Sequence, residues 1–437
     1  MDAADIVRLL RREMIPAMGC TEPAASALAG AKARELLGED EIVSVRVSAS
    51  RDIVKNAMGV GIPDCQMRGI LTAVALGVVK GDPSKDLNIL SEISPQEVAR
   101  IADIPLTLTI EENVPQLFIG VEIQGRKHRS KAVISGEHNR FCRLEQDSKV
   151  LLDLPLSVEK ASNSDNDAKI LLKMTLQDIV SSAEQIPFSE LGFVSDAINV
   201  NLAIARHSLE DEYGLQVGRT QMENLDESDI KDMDEAFRIG ACYAAAGSDA
   251  RMSGCPMPVI INSGSGNQGL TVTLPIYWLG RYLGCTEEKI SRAVCISELV
   301  GLVLTARKDR LSALCGAFTA SIGTACGYVY LLDGGVRLMD MAIKNMVGNL
   351  TGIICDGAKN TCPLKIWSCL EAAALSVKLA LKGHAPGRES GIVGSDSLES
   401  IRHLTKISRE GMEKTDRTIL SIMLGENARI ESSSAQV

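Results

Sequence analysis

Aromatic residues are scarce: Phe, Tyr and Trp make up 3% of the 437 residues, and there are two Trp. The apolar 45% is therefore mostly Ala, Val, Ile, Leu and Met, so the core has to close by aliphatic packing. No interleaving of aromatic and basic residues occurs, which argues against RNA or DNA binding. A positive balance is missing as well. The 46 Lys and Arg face 56 Asp and Glu, a net charge of −10, which disfavours nucleic acid or an anionic membrane as partner. His128, His138, His207, His384 and His403 show no metal-ligand spacing. There is no G-x-S-x-G elbow and no P-loop. Arg8, Arg11, Arg12 and Glu13 interrupt any apolar leader, and the expectation is a cytoplasmic protein.

Twelve cysteines are present. At about 3% they are too dilute for a disulfide scaffold, which typically exceeds about 8% in a short secreted chain. In a reducing compartment they are packing residues, metal or cluster ligands, or a reactive thiol. Leu311–Leu332 runs 22 residues without a charge, long enough to span a bilayer. Its Gly, Ser, Thr and Cys content, between Arg310 and Asp333, reads as a buried central helix instead.

Periodicity divides the chain in two. Helical patterns at 3–13, 21–37 and 67–79 alternate with strand-like runs. In 41–50, Val43, Val45, Val47 and Ala49 fall on one face. Further alternating runs at 106–110, 117–124, 128–135, 140–145 and 150–154 suit an antiparallel sheet. The polar stretch 159–169 is the best linker. Beyond it, helices are expected at 174–184, 193–211, 229–247, 267–283, 286–304, 311–331, 336–350 and 362–382, many apolar on most sides. The expected fold is α+β: a mixed helix and antiparallel-sheet domain over 1–168, then a mostly α-helical domain over 169–437.

Four constellations could carry chemistry. Gly19-Cys20-Thr21-Glu22-Pro23 reads as a loop opening a helix, where backbone N–H groups favour an anion such as a Cys20 thiolate or a substrate carboxylate. Lys55 and Asn56 precede the Gly-rich turn 58–63 and offer a cation and an amide. The charge-free loop Ile261–Gly269, with Ser263, Ser265 and Asn267, suits carboxylate or phosphate binding ahead of a helix. Cys355 and Cys362 flank a Gly turn, with Cys315 forty residues upstream. By spacing, these three are either buried apolar thiols or ligands to three irons of a cubane cluster with one iron open.

Together the four motifs resemble the L-cysteine desulfidase family, related more distantly to the alpha chain of iron–sulfur L-serine dehydratases. The resemblance rests on Met18–Pro23, Lys55-Asn56 with Gly59–Pro63, Ser263–Gly269, and Cys355-Asp-Gly-Ala-Lys with Cys362. It implies a pyridoxal-phosphate-independent carbon–sulfur lyase that degrades L-cysteine to pyruvate, ammonia and hydrogen sulfide with a [4Fe–4S] cluster. Cys315, Cys355 and Cys362 match the family's cluster thiols. Cys20 matches its N-terminal cysteine, as base or fourth ligand. Thr21, Glu22, Lys55, Asn56, Ser263, Ser265 and Asn267 are then the expected substrate contacts. Asp64, and Glu137 to Arg140 around His138, depart from the pattern and put a catalytic His138 in doubt. The alternatives are elimination from L-serine or another β-hydroxy amino acid, and a cluster-containing cysteine sensor without turnover. A homodimer is the base-rate expectation.

Overall fold

The computed structural model describes residues 3–19, 21–63, 65–156, 169–308 and 312–424. Cys20, Asp64 and nearly all of the predicted linker lie outside them. The first part runs α1 (Ala3–Glu13), β1 (Pro16–Met18), α2 (Thr21–Leu37), β2 (Ile42–Ser50), α3 (Arg51–Ala57), β3 (Gly61–Ile62), β4 (Cys65–Arg68), α4 (Ile70–Lys80) and α5 (Pro95–Arg100). Five strands follow: β5 (Leu106–Glu111), β6 (Phe118–Gly125), β7 (Arg129–Ser135), β8 (Phe141–Gln146) and β9 (Lys149–Asp153).

Six strands form one sheet in the order β5-β2-β6-β7-β8-β9. The sheet is mixed rather than purely antiparallel, because β5 lies parallel to β2. A parallel neighbour needs a long crossover, and α3, α4 and α5 supply it. Val45, Val47 and Ala49 of β2 are fully buried, as the alternation predicts, but Val43 is 52% exposed. The register slips between Ile42 and Ser44 opposite Gly125 and Gln124, and the extra residue turns Val43 to solvent. Helices α2 and α4 cover the buried face, packing Leu28, Ala29 and Val74 with Ile119, Val121 and Ile123.

The second part is helical: α6 (Leu176–Gln185), α7 (Gly192–Glu210), α8 (Val217–Met222), α9 (Met233–Met252), β10 (Pro258–Ile260), α10 (Gly266–Tyr282), α11 (Glu287–Lys308), α12 (Gly316–Leu331), α13 (Val336–Leu350), α14 (Cys362–Leu381), α15 (Ser397–Lys406) and α16 (Glu413–Leu424). Caps set several starts. Asp232 accepts from Glu235 N at 2.8 Å ahead of α9, and Asp396 from Glu399 N at 2.7 Å ahead of α15. The uncharged run becomes α12, buried against α10, α11 and α14. No helix among the described residues is long and apolar enough to cross a membrane.

The two ends of the chain cross over. Ile6, Leu9 and Leu10 of α1 join the helical core, whereas Leu420 of α16 joins the core beneath the sheet. Strand β1 pairs antiparallel with β10, tying the N-terminal loop to the helical part. These crossings bring the four sequence motifs toward one region.

Candidate active site

The cysteine segments are fixed through the backbone. Cys355 N donates to Ala313 O at 2.6 Å and Cys315 N to Ile353 O at 3.2 Å. A bridge between Leu314 and Ile354 lies between those two bonds. Cys315 precedes α12, and Cys362 is the first residue of α14. The Cys362 thiol accepts from Lys359 N at 3.4 Å. Burial first, then Cys355 and Cys362, push the Cys315 thiol up to about 12. Burial and then Cys355 also raise Cys362, while the Lys359 N–H and the nearby Lys365 ammonium pull it down. Cys315 thus feels both other thiols, and Cys362 feels Cys355. No group of three His, Cys, Asp or Glu among the described residues converges on a single metal ion. The donor set, three mutually repelling thiols on two elements, fits a polynuclear iron centre better than zinc, which takes a compact four-ligand shell.

This cysteine loop rests on α3. Lys359 Nζ donates to Lys55 O at 2.9 Å. Gly357 has φ +89, and a Cβ there would lie 2.2 Å from Lys55 O. Gly357→Ala is therefore expected to lift the loop from α3 and to lower the bound iron per chain, read by iron analysis after reconstitution.

Helix α3 starts where Ser50 Oγ accepts from Ile53 N. Its Lys55 is 2% exposed and pairs with the carboxylate of Asp416 on α16. Asp52 lies nearby. Burial raises its carboxyl to about 6 against the pull of Lys55, and Asp416 pushes the same way as burial. Asn56 Nδ2 donates to Glu22 Oε1 at 3.3 Å, and Thr21 Oγ1 donates to Glu22 Oε2 at 3.3 Å. Thr21, Glu22 and Asn56 thus form one polar group at the start of α2, with Glu22 buried.

The third motif is a tight loop. Asn262 and Ser265 exchange two backbone bonds, and Ser263 and Gly264 adopt positive φ of 53 and 80. Ser265 Oγ caps α10 by accepting from Gln268 N at 3.4 Å, a structural duty that a loop reading does not include. Asn267 Oδ1 accepts from Ser248 Oγ at 3.1 Å and Arg251 Nη1 at 3.2 Å, and its Nδ2 donates to Met252 Sδ at 3.6 Å. Met252 packs with Val60, Ala358 and Cys362, which joins this loop to the cysteine loop.

Sequence reasoning missed four side chains. Arg251 is 5% exposed, and its Nε has no partner among the described residues. Gln268 is also 5% exposed with an unpartnered Oε1. Its amide lies against Gly316, the residue after Cys315, where a Cβ would come within 3.0 Å of Nε2. Gln268 lay inside a quoted motif, and Arg251 at the end of an Ala-rich helix gave no local sign. Asp416 and Glu298 are the other two. His138 stands in the turn between β7 and β8, as a turn histidine. The eleven described cysteines are free thiols. Cys242 and Cys326 are buried and raised to about 12 by burial, which makes them packing residues. A cleft of about 430 Å³ lined by Asp234, Arg238, Glu371 and Lys378 contains none of the predicted residues.

The family model for the serine dehydratase alpha chain matches residues 84–421. The chain belongs to this family. It is also similar over nearly its whole length to relatives called UPF0597 protein. One, from Oleidesulfovibrio alaskensis, is 37% identical over 424 residues, covering 96% of this chain and 97% of the relative. One from Alkaliphilus oremlandii is 37% identical over 423 residues, covering 96% and 97%. One from Clostridioides difficile is 37% identical over 423 residues, covering 95% and 98%. The family fits a lyase of the serine dehydratase kind.

Proposed function

We propose that the chain is an iron–sulfur-dependent lyase that degrades L-cysteine to pyruvate, ammonia and hydrogen sulfide by α,β-elimination. The observation that supports this best is that the free thiols of Cys355 and Cys362, on a loop resting against Lys55, act on the free thiol of Cys315 at the start of α12. Those thiols would hold a [4Fe–4S] cluster, which when bound supplies a Lewis acid for the leaving sulfur or the carboxylate. The chain's own residues bind and orient. The unpartnered Arg251 Nε and the Asn267 amide suit the substrate carboxylate, and the Glu22 carboxylate suits the ammonium. Lys55 and the N–H groups of the Ser263–Ser265 loop add positive potential. Cys20 is the base that takes the Cα proton, or a fourth ligand in the resting state. Loss of that proton and of the Cβ–S bond gives aminoacrylate and sulfide. Tautomerisation and addition of water then give pyruvate and ammonia. The eleven described cysteines, all free thiols, suit a cytoplasmic setting, and a homodimer completes the reading.

The family match favours a second substrate, L-serine, with hydroxide in place of sulfide as the leaving group. One experiment decides. The protein is loaded anaerobically with iron and sulfide, and pyruvate release is followed with L-cysteine and with L-serine. A visible iron–sulfur absorbance with faster turnover of L-cysteine is the expected result. Turnover of L-serine alone moves the assignment to dehydration, and failure to take up iron removes the cluster.

A further inference from the structure

Glu298 lies in the middle of α11 with no exposed surface. One of its carboxyl oxygens, Oε2, accepts from Asn262 Nδ2, and its backbone C=O accepts from the same amide at 3.2 Å. Asn262 Oδ1 in turn accepts from the Ser263 hydroxyl at 2.9 Å. Asn262 N donates to Ser265 O, and Ser265 N donates back to Asn262 O. Ser263, at φ 53, is a strained position for a residue with a side chain. A loop holding Ser263, Ser265 and Asn267 thus hangs on one buried carboxyl group.

The other carboxyl oxygen, Oε1, is buried without a partner among the described residues. A bare hydroxyl there costs far less than a bare carboxylate oxygen. Helices α1, α6, α7, α10, α12 and α15 pack against α11. Across these contacts the ionisable group that acts on Glu298 is Glu13 of α1, an acid, and Cys295 stands one turn back on α11 itself. Neither supplies a positive charge.

We propose that Glu298 is a positioning residue of the substrate site: as a neutral acid it holds Asn262, and through Asn262 the Ser263 loop, in the substrate-binding conformation. The role rests on the elimination reading for its substrate, but the carboxyl's protonation does not. Burial lifts this carboxyl to about 8, Asn262 pulls it down, and Glu13 pushes it up. Between the ordinary glutamate value and about 8 the unfolded chain has lost the proton that the folded chain keeps. Stability contributed here is therefore present at low pH, falls as pH rises across that window, and levels off above it.

Two variants and two readouts test this in the loaded protein. Glu298→Gln keeps a neutral acceptor for the Asn262 amide, and Glu298→Leu removes it. Glu298→Gln, which keeps that acceptor, should leave KM for the turned-over amino acid closer to the wild type than Glu298→Leu does, with a smaller change in kcat. Glu298→Leu should raise KM by about tenfold at every pH, as loss of one buried hydrogen bond predicts. A KM in Glu298→Gln raised as far as in Glu298→Leu, or a wild-type KM in Glu298→Leu, overturns the proposal. The second readout needs no turnover. With asparagine labelled in nitrogen-15, the Asn262 side-chain amide resonance should titrate near pH 8 in the wild type and stay fixed in Glu298→Gln. A pH-independent wild-type resonance overturns the proposal. If the resonance titrates but no amino acid is turned over, the elimination reading fails and the Glu298–Asn262 coupling stands.

Discussion

Cys355→Ala, loaded anaerobically with iron and sulfide, is expected to show no iron–sulfur absorbance and no pyruvate release. The loss should exceed the roughly 10–100-fold that follows removal of an outer-shell partner of a metal. The fold should survive, because the fixed feature of Cys355 is its backbone N–H to Ala313 O, which alanine retains. Cys326→Ala and Cys369→Ala give the contrast. Both thiols are fully buried in the helical core, so their removal should destabilise the chain by about 1 kcal/mol while the iron content stays at the wild-type level. Iron analysis beside thermal melting separates the two classes. Retention of iron by Cys355→Ala, or loss of iron in Cys326→Ala, would mean the ligand set is wrongly drawn.

The same thiols give a pH dependence for loading. Burial and its two neighbours hold the Cys315 thiol near 12, so it is protonated at neutral pH in the iron-free chain. Loading must displace that proton, and cluster uptake should therefore strengthen as pH rises from 7 to about 9. Iron uptake at equilibrium against pH checks this, and a flat profile would contradict it.

Most helices could be read from the pattern of apolar residues. The reading at 193–211 became 192–210, and 336–350 matched α13 to the residue. Long periodic segments average over many positions, so packing does not override them. What local pattern could not show was set by a single extra residue or by distance. One residue in β2 reversed the face of Val43. Helix α3 has only seven residues and a polar start, Arg51-Asp52, so it read only as a cation and an amide ahead of a turn. The amphipathic α15 and the polar α16 were not anticipated. Lys55 and Asn56 were picked out, but the sequence offered them a substrate where the fold gives each a protein partner first. Asn56 meets Glu22 across 34 residues, and Lys55 meets Asp416 across 361. A partner that far along the chain leaves no trace in spacing. Glu298 is hidden for the opposite reason, as one acid in a helix whose other side chains explain its burial.

The Lys55–Asp416 pair carries the second large effect. Lys55 is 2% exposed and Asp416 16%, so solvent does little to screen either charge. Asp416→Ala leaves a buried ammonium behind, and breaking such a pair costs about 3–5 kcal/mol. Asp52 softens that cost. Its carboxyl is held up to about 6 by burial and then by Asp416, so removing Asp416 favours its ionised form beside Lys55. The expected destabilisation therefore lies toward the lower end of the roughly 3–5 kcal/mol range. Lys55→Met with Asp416→Leu removes both charges and should recover most of the stability, because apolar replacement of a whole buried pair is near neutral. It should not recover turnover. If Lys55 contributes its charge to the substrate site, the double variant folds, binds iron, and shows a kcat/KM lower by about tenfold or more, the scale of a charge-assisted hydrogen bond. Urea melts give the stability arm, and pyruvate release by the loaded protein gives the other. Full turnover in the stable double variant would assign the pair to holding α16 on α3 and nothing else.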